Sequence, residues 1–127
     1  MIVLDTHAWL FWASEPARLG RRAAAALRKA PRIGVPAICV WEVGMLLDKK
    51  RVVLDRPVDD WVAQALCAPR VELVPLTPAI ALRAATLGAL HGDPADHLIL
   101  ATALVHGARL VTRDAKLTDS GLVDVVW

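Results

Sequence analysis

The sequence predicts an α/β protein of three layers, α/β/α, with a mainly parallel sheet in the middle. Three observations lead there. Strand-length apolar runs alternate with helix-length stretches along the whole chain. The strand-like runs are continuously apolar rather than alternating, as strands covered on both faces are. Pro and Gly punctuate the boundaries between them.

MIVLD, residues 1–5, reads as the first strand. Thr6 stands where it would cap a short helix through HAWLFWA, and the Glu15-Pro16 step ends that helix. ARLGRRAAAALRKA reads as a second helix. Leu19, Ala23, Ala26, Leu27 and Ala30 recur at helical spacing, with Arg21, Arg22, Arg28 and Lys29 largely off that stripe. Pro31 ends it and RIGV forms the second strand. Pro36 starts a helix through AICVWEVGMLLDKK. VDDWVAQALCA is an amphipathic helix between Pro57 and Pro69. VELVPL is the third strand, and PAIALRAATLGAL a helix stopped near Gly92. The next helix runs from Pro94 to about Val105, with Gly107 as its C-cap. ARLVT is a strand, TRDAKL a turn, and LVDVV the last strand.

At 127 residues, 56% of them hydrophobic, the chain is expected to be a single domain, 1–127, burying roughly two-thirds of its unfolded surface. The longest apolar run, LILATALV, is eight residues, well short of the roughly 20 a membrane span needs. No basic segment precedes the N-terminal apolar residues and Asp5 interrupts them, so a signal peptide is not expected. Cys39 and Cys67 each sit in an apolar segment and read as buried free thiols, which suits a reducing cytoplasm. A net charge of +2 is too small to demand a nucleic-acid partner.

Four acids stand out because of where they fall. Ligands of a parallel sheet bind beyond the carboxyl ends of its strands. Asp5 ends the first strand and Asp114 lies just past ARLVT. Taken singly, each has an ordinary role, a helix cap for Asp5 and a turn residue for Asp114. Glu42 is harder to explain locally. Ile38, Cys39, Met45 and Leu46 lie three and four residues either side of it, so it falls on the apolar stripe of its helix. A buried carboxylate is costly without a partner; either a buried Arg or a cation would provide one. Asp96 shares a helical face with Ile99, Leu100 and Ala103 and so points toward the sheet. Asp93, followed by Pro94, has the form of a helix cap.

One cation site at the sheet edge accounts for all four acids together. Clustered carboxylates repel, and a hard divalent cation resolves the repulsion. Oxygen-only ligation suits Mg²⁺ or Mn²⁺. His7, His91, His97 and His106 show no zinc-type spacing, although His7 and His97 adjoin proposed ligands.

The ordered set MIVLDTHAWLFW, VWE, DPADHLILATA and LVTRD resembles the PIN-domain family, most closely the VapC-type toxins of bacterial toxin–antitoxin pairs. The resemblance runs from Met1 to the end of the chain. It implies that the family's acidic quartet falls on Asp5, Glu42, Asp96 and Asp114, as catalytic residues and as Mg²⁺ (or Mn²⁺) ligands. It also implies secondary or orienting roles for Asp93, Thr112 and Thr6. Relatives often carry Arg immediately after the third acid, where this chain departs from the pattern with His97 and lacks the permanent charge that Arg would bring to that position. The implied activity is metal-dependent endoribonuclease cleavage of RNA, with hydroxide made from metal-activated water. The implied partners are an RNA substrate, a cognate antitoxin protein and a second copy of the chain in a homodimer, all in the cytoplasm and none a membrane. If the antitoxin places a basic side chain among the carboxylates, it would inhibit by displacing metal.

Arg18, Arg21, Arg22, Arg28, Lys29 and Arg32 form one basic group and Lys49, Lys50 and Arg51 another. They would either attract a phosphate backbone or simply solvate helix faces. Trp9, Phe11 and Trp12 read as core more than interface. Two other readings stay open: a non-catalytic interaction domain that keeps the fold, and a phosphoryl-transfer domain. Against the second, His7 stands where phosphatases of that kind carry a further Asp. RNA class, the choice of RNA over DNA, and which acid takes the proton are all open at this level.

Overall fold

A computed structural model describes residues 1–88 and 93–127. Five strands, β1 (Ile2–Leu4), β2 (Ile33–Pro36), β3 (Val71–Val74), β4 (Arg109–Val111) and β5 (Val125–Val126), form one sheet in the order β3-β2-β1-β4-β5. Every neighbouring pair is parallel, with Ile2 opposite both Ile33 and Arg109, and Leu4 opposite Val111. Seven α-helices are described: α1 (Thr6–Ser14), α2 (Arg21–Lys29), α3 (Ala37–Asp48), α4 (Val58–Leu66), α5 (Pro78–Ala85), α6 (Pro94–Val105) and α7 (Ala115–Asp119). This is the expected parallel α/β architecture.

The strand order fixes where a site can form. From β1 the chain steps outward to β2 and β3, then returns across the sheet to β4 and β5. Right-handed crossovers running in opposite directions place their helices on opposite faces. The loops leaving β1 and β4 therefore part from one another, and a crevice opens at the carboxyl ends of those two strands. Asp5 and Thr112 are the first residues past β1 and β4.

The core is continuous across the sheet. Val3, Leu4, Ile33, Val35, Leu110 and Val111 are buried in the strands, and Leu27, Val43, Ile99 and Leu100 cover them from the helices. Trp9 is fully buried and meets Trp61 edge-on at 4.9 Å, while the Trp61 indole donates to Ser14 Oγ at 2.8 Å. Trp9 and Phe11 are thus core residues, as expected, and Trp12 is half-buried.

Several local expectations need correction. Asp5, not Thr6, caps α1; its Oδ1 accepts the Ala8 N–H at 2.8 Å. The helix expected over residues 17–30 is split into a 3-10 turn at Pro16–Arg18 and α2 from Arg21. The break falls at Gly20, whose extended backbone lies against Trp127; a Cβ there would meet the Trp127 carbonyl carbon at 2.5 Å. A contact from the far end of the chain thus overrides the local helical pattern. TRDAKL, expected as a turn, begins α7 with Asp114 as its cap. Helix α5 ends at Ala85, earlier than expected, and the expected stop near Gly92 lies outside the described residues, as does His91. Cys39 is buried as expected, but Cys67 is exposed because it follows α4 on its solvent side. The C-terminus of α6 closes as read from the sequence. Gly107 has φ +59°, its N–H reaches Leu104 O, and the Ala108 N–H reaches Ala103 O, a Schellman arrangement.

Candidate active site

A cleft of about 340 Å³ opens at the carboxyl edge of the sheet, lined by Asp5, Thr6, His7, Glu42, Asp96, Ile99, Arg113 and Asp114. Each acid arrives on a different element. Asp5 ends β1, Glu42 sits midway along α3, Asp96 is in the first turn of α6, and Asp114 follows β4. Helices α3 and α6 pack together, which brings Glu42 and Asp96 to the same side of the cleft.

Asp5 is the most confined. Its Oδ1 accepts the Ala8 N–H, and its Oδ2 accepts the hydroxyl of Thr112, which is fully buried. Burial pushes the Asp5 carboxyl above the usual carboxylate range, and these two hydrogen bonds pull partly against it. Thr112 Oγ1 also accepts the Asp114 backbone N–H at 3.0 Å, so one hydroxyl links two acids. Thr6 donates to Glu42 Oε1 at 2.5 Å. Half-burial raises the Glu42 carboxyl, Thr6 lowers it, and the charges of Asp93, Asp96 and Asp5 raise it further. Asp96 is raised by burial and by the Asp114 charge, against which Lys116 Nζ, 3.6 Å from Asp96 Oδ2, acts in the other direction.

The local roles considered for these acids are therefore real in part. Asp5, Asp93 and Asp114 each cap a helix, through Ala8, Ala95 and Lys116 N–H groups respectively. Asp93 is exposed and stands outside the cleft lining, although its charge reaches Glu42 and Asp96. Glu42 does not find a buried Arg; its partner is the Thr6 hydroxyl. His7 is exposed at the cleft, His97 is half-buried beside Asp96, and His106 caps the far end of α6.

Two residues at the cleft escaped the sequence reading. Arg113 lines it, and Lys116 touches Asp96. Both lie within TRDAKL, and the only signal was their closeness to Asp114. The basic groups divide. Arg18 packs on the Phe11 ring, whereas Arg28, Lys29 and Arg32 lie where α2 feeds β2, at the amino edge of the sheet, and Arg32 is bound to Glu72.

The donor set suits a hard cation. Four carboxylates share one cleft, burial raises three of them, and the exposed Lys116 amine, 3.6 Å from Asp96, offsets part of their mutual repulsion. Among the described residues no three Asp, Glu, His or Cys side chains are drawn close enough together, as they stand, to hold a metal ion between them. Oxygen donors of this kind are the type Mg²⁺ takes, one or two carboxylates directly with several waters kept, whereas zinc prefers His and Cys.

Comparison with known proteins agrees with this architecture. The PIN-domain profile matches residues 2–121. Ribonuclease VapC22 of Mycobacterium tuberculosis is 41% identical over 117 residues, covering 91% of this chain and 88% of that protein. A toxin–antitoxin complex from Klebsiella pneumoniae has a chain that superposes with a TM-score of 0.71 at 25% identity, covering 100% of this chain and 97% of that one. VapBC2 from Rickettsia felis, bound to a DNA fragment from its promoter, superposes with a TM-score of 0.71 at 18% identity, covering 99% and 98% of the two chains, and so shares the fold. With the profile spanning nearly the whole chain and the sequence identity spanning almost as much, this protein belongs to the PIN-domain family and is of the VapC type.

Proposed function

We propose that this chain, as a single nuclease unit over residues 1–127, is a divalent-metal-dependent endoribonuclease and the toxin of a toxin–antitoxin pair. The observation that carries the reading is the meeting of Asp5, Glu42, Asp96 and Asp114 in one cleft at the strand-order reversal. The relative named ribonuclease VapC22 and the solved toxin–antitoxin complexes support the activity and the antitoxin partner. A homodimer and a cytoplasmic location are part of the same proposal. Among the described residues no helix is long and apolar enough to cross a membrane.

Asp5, Glu42, Asp96 and Asp114 would hold Mg²⁺ or Mn²⁺. Bound there, such an ion lowers the pKa of water and neutralises charge on the leaving oxygen. The chain's own groups do the rest. Thr112 and the Ala8 N–H fix the Asp5 carboxylate so that it does not swing. Thr6 holds Glu42 Oε1 and leaves Oε2 to receive the proton of the attacking water. Asp96 and Asp114 complete the negative wall. Cys39, the one thiol close to these acids, is buried and its pKa pushed up, which leaves it inert as a nucleophile.

The test is cleavage of a mixed RNA pool by purified protein, shown free of antitoxin, with Mg²⁺ or Mn²⁺. Controls are EDTA, Asp5→Asn and Asp96→Asn. Cleavage abolished in all three supports the reading. Cleavage that survives EDTA, or no cleavage of any RNA class by folded protein, overturns it.

A further inference from the structure

Arg113 presents a puzzle of charge. It lines a cleft with Asp5, Asp96 and Asp114, yet among the described residues it forms no ion pair with any of them, whereas Lys116 lies 3.6 Å from Asp96. Its guanidinium lies instead over aromatic rings, 5.0 Å from the Phe11 centroid and 5.9 Å from that of Trp127. A cation laid on ring faces is held in place without spending its N–H donors. Arg18 shares the same shelf, 4.2 Å from the Phe11 centroid. Its carboxylate neighbour, Glu15, is 3.6 Å away, and both side chains are more than half exposed, so that pair binds weakly.

The shelf itself is built into the fold. Phe11 is 5% exposed and meets Trp127 edge-on at 6.3 Å. Trp127 in turn rests against Gly20, where no side chain would fit. The two guanidinium groups are therefore carried on one fixed aromatic platform beside an acidic cleft.

We propose that Arg113 and Arg18 form a phosphate track that leads a single RNA strand into the cleft, with Arg113 as the positioning residue at its lip. The proposal rests on the nuclease reading above. A phosphate backbone approaching four carboxylates is repelled, and a cation at the lip with its donors unspent offsets that repulsion where the strand enters. A guanidinium also matches a phosphate through two parallel hydrogen bonds, which fixes orientation as well as supplying charge. The shelf stops the guanidinium from collapsing onto the carboxylates.

The experiment measures binding of a fluorescent single-stranded RNA oligonucleotide to the Asp5→Asn protein in Mg²⁺ across a salt series. It is repeated with Arg113→Ala, Arg113→Lys and Arg18→Ala added, and the thermal midpoint of each variant is recorded. Loss of one phosphate contact lowers the slope of log K against log salt by about 0.7 for a single strand. Arg113→Ala is expected to weaken binding about tenfold with that loss of slope. Arg113→Lys is expected to restore the slope but only part of the affinity. In the protein with Asp5 intact, Arg113→Ala is expected to raise KM for RNA more than it lowers kcat. If Arg113→Ala leaves both affinity and slope unchanged while wild-type protein still cleaves RNA, the track is refuted and the nuclease reading stands. If the same variant leaves RNA binding unchanged but weakens binding of an acidic peptide titrated in parallel, the surface serves a protein partner and the track is again refuted. Failure of the wild-type protein to bind or cut any RNA overturns both readings together.

Discussion

The hydroxyl of Thr112 donates to Asp5 across the boundary between β4 and β1. The same oxygen accepts the Asp114 N–H, so the two acids that end these strands are held through a single buried side chain. Thr112→Val keeps the shape and removes the hydroxyl. It leaves Asp5 Oδ2 buried without that donor and is expected to cost about 1–3 kcal/mol of stability. Thr112→Ser is expected to retain most of it. Urea unfolding of the three proteins checks the difference, and equal midpoints for Val and Thr would refute it. RNA cleavage is expected to fall in the Val variant and recover in the Ser variant.

The carboxyls of Asp5, Glu42 and Asp96 are all raised by burial in the folded chain. A carboxyl raised on folding binds more protons folded than unfolded, between its ordinary value and its raised one. Folding is therefore favoured at the acid side of that window, and stability is lost as pH rises through it. In EDTA the thermal midpoint is expected to fall as pH climbs from the ordinary carboxylate range toward neutrality. If these acids hold the proposed cation, Mg²⁺ is expected to reverse that fall, since a cation bound only by their charged, folded form stabilises the folded protein. A midpoint that rises over the same pH interval in EDTA would contradict the electrostatic picture of the cleft.

Lys116 competes with any cation for Asp96, from 3.6 Å and a side chain 55% exposed. Its exposure keeps the effect modest. Lys116→Met is expected to tighten Mn²⁺ binding about two- to fivefold, by removing a like charge from the site. Titration calorimetry with Mn²⁺ measures this. Weaker binding in the variant would show that Lys116 supports the site rather than competing for it.

Arg70 works at the opposite edge of the sheet. Its Nη1 donates to Leu27 O at 2.8 Å and Ala30 O at 2.6 Å, covering carbonyls that the end of α2 leaves open. Its backbone is left-handed, at φ +69°. Arg70→Ala loses the cap and keeps the backbone cost, and is expected to destabilise by about 1–2 kcal/mol. Arg70→Gly loses the cap but relieves the backbone, and is expected to cost less. Thermal unfolding of both variants decides it; equal losses would mean the backbone conformation carries no strain.

The acids show how far reading residues in order can go. Asp5 and Asp114 were conspicuous because each follows an apolar strand, and Glu42 because it interrupts an apolar stripe. Those are local patterns, and they pointed to residues that the fold does bring to one cleft. Arg113 was invisible because nothing about Arg between Thr and Asp is unusual. Its significance comes from Phe11 and Trp127, which lie at opposite ends of the chain. The break at Gly20 was hidden for the same reason, since the residue that forbids a side chain there is Trp127.

By itself the sequence determined the alternation of strands and helices, most of their boundaries, and which acids stand at strand ends or on an apolar stripe. Hydrophobic period, Pro, Gly and caps are properties of a few neighbouring residues, and they survive in a linear reading. Only the tertiary structure decided that β1 lies between β2 and β4, and so that Asp5 faces Asp114 across a crevice. It also decided that Thr112 spends its hydroxyl on Asp5, and that Arg18 and Arg113 share one ring while Arg28, Lys29 and Arg32 stand at the far edge. Strand neighbours are chosen by burying both faces of the sheet under crossovers of fixed hand. That choice is made among residues remote in sequence, and no window along the chain contains it.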